Sequence, residues 1–230
     1  MKRRVNSLPM GRLLGVPLFM HWTFLLLLVF VVAVDAGQGL LVTLKGLGWI
    51  VAIFASVLVH ETAHCVVARR EGIIVDDILL LPIGGVSEMR SMPRKPGEEF
   101  AMAIAGPLTS LGLAVLFGLL AILSGGDLWP PNLLSGSWLA RLAWLNALLG
   151  AFNLLPALPM DGGRVLRAGL AMREPRSKAT RQAVQIARVL ALGMIAIGVV
   201  WDFWLVFIGL FVILAAGAEE AEEESHPSKD

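Results

Sequence analysis

The stretch SVLVHETAHCVVARR, residues 56–70, sets His60, Glu61 and His64 inside one of the most apolar parts of the chain. On a helix, residues four apart share a face, so both imidazoles can reach one metal ion. Neutral imidazole with carboxylate is a donor set suited to zinc. A glutamate beside the first histidine can move the protons of an activated water. In lipid, each ionisable side chain costs about 2.5–3.5 kcal/mol on insertion scales. Three such groups so close together need a compensating role. A metal supplies one; a polar trio merely packed into a helix bundle does not.

A catalytic zinc site takes three protein ligands and keeps one position open, so a third ligand must come from elsewhere. His226 lies in the tail, and Asp35, Asp127 and Asp202 fall at turns on the far side of the membrane. Two residues remain: His21, at the start of the first apolar run, and Asp161, in NLLPALPMDGGR. His64 precedes Arg69 by five residues, roughly 8 Å at 1.5 Å per residue, and Asp161 precedes Arg164 by three. Pro156 and Pro159 break the helix there. Irregular backbone at membrane depth occurs only beside a cavity or within protein. The competing reading of Asp-Gly-Gly is a plain turn.

These groups must be carried by membrane helices. The chain of 230 residues is 57% hydrophobic and only 16% charged, against about a quarter charged in soluble domains. Apolar runs long enough to cross a bilayer recur. The first run has no nearby signal-peptide cleavage site. Six spans are expected: Leu18–Ala36, Gly46–Ala68, Phe100–Leu123, one from Trp138 that breaks around Pro156, Ala183–Val200 and Phe203–Gly217. Most of the seven tryptophans fall near span ends, as interface anchors. Of the 19 lysines and arginines, all but Lys45 and Arg141 fall on one side of this arrangement. The positive-inside rule then makes both termini cytoplasmic, with Arg69-Arg70 marking the exit of the second span. No basic face suited to nucleic acid is visible. The single cysteine, Cys65, excludes an internal disulfide, and it is read as packing.

Residues 72–89, GIIVDDILLLPIGGVSEM, read as two short strands around a turn. Strand edges are not tolerated in lipid, so this segment belongs in the cytoplasm, at the interface or within protein. The fold class is therefore all-α polytopic, with six transmembrane helices and a short membrane-associated β segment between spans two and three. Residues 1–217 form one core. Residues 218–230 are an acidic, disordered cytoplasmic tail.

HETAH on an early span, followed about 90 residues later by NLLPALPMDGGR, resembles the site-2 protease family of intramembrane zinc metalloproteases. LPIGG at 81–85 and AGPL at 105–108 match further landmarks, and the resemblance covers Gly15 to Arg167. GVPLFM before His21 is similar to the sporulation-processing branch; His21 itself is read as an interface anchor. The resemblance implies one Zn2+ per chain, held by His60, His64 and Asp161. It also implies Glu61 as general base and later acid, and Asn153 as the group that holds the scissile peptide or its oxyanion. Segment 72–89 resembles strands that offer an edge to an extended substrate. The implied activity is cleavage of a transmembrane substrate protein in regulated intramembrane proteolysis, in a prokaryotic cell membrane. The implied partners are that substrate and the lipid bilayer, with no nucleic acid.

One departure is Ser110, where many relatives carry Asn; it is expected not to touch the metal site. No PDZ-like insertion and no nucleotide-sensing modules are seen. A metal or proton transporter is the first rival, disfavoured because the ionisable groups gather near one face. An inactive adaptor is the second, disfavoured by an intact Glu61.

Overall fold

The computed structural model describes residues 6–82, 84–90, 93, 95–129, 133 and 136–225, with side chains to residue 221. The chain divides into two compact units, Met1–Met92 with Leu108–Leu149, and Pro93–Pro107 with Gly150–Asp230.

The first unit opens with a hairpin, β1 (Ser7–Leu13) and β2 (Val16–His21). Leu14 and Gly15 form its two-residue turn, both at positive φ (50° and 84°), as the tight turns that match strand twist require. Helix α1 (Thr23–Asp35) and the long helix α2 (Leu40–Arg70) follow. They meet where Phe24 sets its ring edge-on to Phe54 at 4.5 Å. The chain then returns to the sheet as β3 (Val75–Leu81) and β4 (Gly84–Met89). The strand order is β1-β2-β3-β4, with β2 parallel to β3 and the outer pairs antiparallel. Arg69, near the end of α2, donates to the Leu14 carbonyl and ties the helix to the hairpin turn.

Two expectations change here. The fold is mostly helical as expected, but its β part is a four-stranded sheet that also takes in residues 7–21, not two strands alone. The expected first span began at Leu18, but Leu18–Met20 pair with Ile78–Leu80 as strand, and the helix starts only at Thr23. Apolar residues flank His21 and Thr23 on both sides of that junction, which hides the change of period.

Helix α3 (Pro96–Leu123) and helix α4 (Trp138–Asn153) contribute to both units. The second unit adds α5 (Asp161–Ala171), α6 (Arg176–Val200) and α7 (Phe203–Ser225). Its core joins Ala157, Leu158 and Met160 to Ala183, Val184, Ala187 and Ala191 of α6 and to Val212 and Ala216 of α7. Small residues let helix backbones approach closely where lipid gives no hydrophobic drive. At Gly209, an added methyl would lie 2.7 Å from the Ala191 carbonyl oxygen.

Among the described residues, α2, α3, α6 and Phe203–Ala221 of α7 are long and apolar enough to cross a membrane, and Thr23–Asp35 is a shorter apolar helix. At most 28% of each crossing window is buried. Their apolar side chains therefore face outward, the reverse of a water-soluble bundle. Helix α7 runs through the expected boundary at residue 217 as far as Ser225. Glu219 and Glu220 pair there with Arg167 and Arg188; residues 226–230 lie outside the described residues.

Candidate metal centre

His60 and His64 lie one turn apart on α2, both buried. Their Nε2 atoms are 3.2 Å apart. Two imidazoles at 2.0–2.1 Å from one tetrahedral zinc ion put their nitrogens about 3.3 Å apart, so the pair fits that ion. The other ring nitrogen of His60, Nδ1, sits 2.9 Å from Ser110 Oγ on α3. A histidine that ligates through Nε2 usually donates its Nδ1–H to such a partner, which fixes the tautomer and the ring plane. Ser110 therefore does touch the site, against expectation. From sequence, α3 carried no sign of its register against α2.

Glu61, half-buried, accepts a 2.7 Å hydrogen bond from Ser87 Oγ of β4. Gly85, two residues earlier on that strand, lies so close that an added methyl would sit 2.6 Å from Glu61 Cγ. Cys65 donates to Ser87 Oγ at 3.4 Å, so it is a polar contact as well as packing. One turn before His60, Ser56 accepts from Asn146 Nδ2 of α4 at 3.1 Å. Both residues are buried. Serine and asparagine inside apolar helices gave no signal beyond their polarity.

In the second unit, Asn153 closes α4 and Asp161 opens α5, both half-buried. Asp161 is the acidic residue of the first turn, where the helix dipole favours a negative charge. Asp-Gly-Gly is thus a helix start, not a plain turn. An added methyl on Gly162 would lie 2.3 Å from the Leu154 carbonyl oxygen, and one on Gly163 2.3 Å from the Leu158 nitrogen. The glycines let α5 nest on the loop that precedes it. His21 closes β2, with Nδ1 2.7 Å from Thr23 Oγ1 at the start of α1.

Helix α5 is also gripped by charge. Arg167 donates from Nη2 to Glu99 Oε1 and from Nη1 to Glu219 Oε1, each at 2.6 Å, and Arg176 meets Glu99 Oε2 at 2.6 Å. Glu99 and Arg167 are almost fully buried. Burial alone would push the Arg167 guanidinium down, but the Glu99 and Glu219 carboxylates outweigh it and hold it raised.

The sequence profile of peptidase family M50 matches residues 48–136 and 131–197. The chain belongs to peptidase family M50. Among M50 relatives, a protein named putative zinc metalloprotease Rip3, from Mycobacterium tuberculosis, is 39% identical over 94% of this chain. Stage IV sporulation protein FB of Bacillus subtilis is 30% identical over 74%. The chain spans 59% and 57% of the lengths of these two relatives. The solved structure of the site-2 protease from Methanocaldococcus jannaschii superposes with a TM-score of 0.65 at 34% identity, covering 93% of this chain and 95% of that one.

Proposed function

We propose that this M50 member is a zinc-dependent endopeptidase of the membrane that cuts a transmembrane substrate protein in or near its span. The observation that carries this reading is the His60–His64 pair, spaced for one zinc ion on a membrane-length helix with Glu61 beside it. When bound, zinc polarises the scissile carbonyl and brings the pKa of water toward neutrality. His60, His64 and Asp161 would hold the ion. Glu61 takes a proton from the attacking water and returns it to the departing amine nitrogen. Asn153 donates from its side-chain amide to the oxyanion. The edge order of the sheet supports substrate capture on β4. It is the outer strand of the described sheet, an edge can take on a further strand, and a peptide must be extended to expose its carbonyl.

The six spans of this reading are α1, α2, α3, α4, α6 and α7, with both termini cytoplasmic. Helices α1 and α4, with 13 and 16 residues, reach only about 20 and 24 Å, so they imply a locally thinned bilayer. The relatives' names and the match to a site-2 protease support the same reading.

The test is cleavage of a panel of purified single-span fusions whose spans carry helix-breaking Gly and Pro. Wild type should release the cytoplasmic part of at least one fusion. Glu61→Gln, with its zinc retained, should fall by about 10²–10⁴-fold. Equal cleavage by both, or a zinc-loaded wild type that cuts none of the panel, contradicts the proposal.

A further inference from the structure

Strand β4 does more than border α2. At Gly85 it comes so close to Glu61 and Val57 that an added methyl would lie 2.6 Å from Glu61 Cγ and 3.3 Å from Val57 Cγ1. Two residues on, Ser87 points to the same face, as alternation along a strand requires. Its hydroxyl has one hydrogen and two lone pairs. The hydrogen goes to Glu61 Oε2 at 2.7 Å, and a lone pair accepts from the Cys65 thiol at 3.4 Å. Glu61 and Cys65 are four apart and share a face of α2, so Ser87 bridges them from a separate element. A carboxylate oxygen only accepts, so the Ser87 hydrogen goes to Glu61 and the thiol is left a lone pair. The hydroxyl is thereby committed to Glu61, and the chain of bonds runs one way.

We infer that Ser87 is a positioning residue: its hydroxyl fixes the Glu61 carboxylate through Oε2 and directs the remaining oxygen to proton transfer. This rests on the protease reading above, in which β4 is also the edge that receives substrate. The strand then links the two events. A substrate strand seated on β4 meets a carboxylate that the same strand has already oriented.

A misplacement of about 1 Å in a reacting group costs on the order of 10²-fold in rate. In the fusion assay, Ser87→Ala should lose about ten- to a hundredfold in kcat, with KM within about twofold. Ser87→Thr keeps the hydroxyl on a side chain suited to strands and should recover most of the loss. In a solved structure of Ser87→Ala, the Glu61 side chain should leave its present rotamer. Unchanged kcat, a loss confined to KM, a Thr variant no better than Ala, or an unmoved Glu61 would each overturn the inference. Glu61→Gln runs alongside as the control. If it is dead while Ser87→Ala matches wild type, this inference fails and the protease reading stands. If wild type is as inactive as Glu61→Gln, the protease reading fails and takes the inference with it.

Discussion

His60 and Glu61 on α2 are steadied by hydroxyls that other elements bring to them, Ser110 from α3 and Ser87 from β4. Asp161 is held differently. It opens a helix whose backbone is wedged against its own loop at Gly162 and Gly163 and whose sixth following residue, Arg167, is clamped between Glu99 and Glu219. The first arrangement tunes side chains on a helix that membrane length already makes rigid. The second creates rigidity where two prolines have broken the helix. A single-atom change in the first should therefore alter function with little loss of stability. The same change in the second should cost stability first.

The largest effect is expected from the charge clamp. Arg167→Leu leaves Glu99, which is fully buried, with Arg176 as its remaining partner. Breaking a buried pair costs about 3–5 kcal/mol, and the surviving partner puts this case near the low end. Denaturant unfolding in detergent measures it. A loss comparable to that of an exposed pair, such as Arg90 with Asp76, would show that α5 does not depend on the clamp.

Two glycines separate the two cases. At Gly162 a new methyl meets the Leu154 backbone, which cannot turn aside, so Gly162→Ala should lose about 1–3 kcal/mol by overpacking and weaken zinc binding with it. At Gly85 the obstacle is the Glu61 side chain, which can rotate. Gly85→Ala should unfold within about 0.5–1.5 kcal/mol of wild type, the cost of an off-rotamer side chain, yet lose cleavage. Equal stability losses in the two variants would erase the distinction drawn here.

Ser110→Ala isolates the hydroxyl support of a ligand. Loss of such a partner lowers metal affinity about 10–100-fold, which competition with a chromogenic chelator reads directly. The fold should be untouched, since only one oxygen is removed. An unchanged zinc affinity would mean that α2 alone fixes the His60 ring.

Much of this was legible from residue type and spacing. HETAH on an apolar run pointed to a metal pair, and the apolar runs located α2, α3, α6 and α7, though not all of their ends: α2 and α6 start earlier than expected and α7 ends later. Strands β3 and β4 were visible as branched, leucine-rich runs parted by Pro82 and glycines. Hairpin β1–β2 was not, because its turn is Leu14-Gly15 rather than the usual Asn-Gly, and because GVPLFMHW runs into the following helix without a Gly, Pro, Asn or Asp break. Helix α5 was hidden behind an Asp-Gly-Gly that reads equally well as a turn. Its conformation is decided by the loop it packs on, which local propensity does not encode. Ser110, Ser87 and Cys65 gained their roles from the register between elements. That register depends on tertiary packing, and a lone hydroxyl in a sequence carries no trace of it.

On the protease reading, His60 and His64 on α2 and Asp161 at the start of α5 serve one ion. Zinc per protein, measured by elemental analysis on membrane-purified wild type, His64→Ala and Asp161→Ala after dialysis against a weak chelator, tests it most directly. Wild type should hold about one zinc, and both variants alike should lose it. If Asp161→Ala keeps its zinc with unchanged affinity while His64→Ala loses it, Asp161 is not the third ligand and the claim is contradicted.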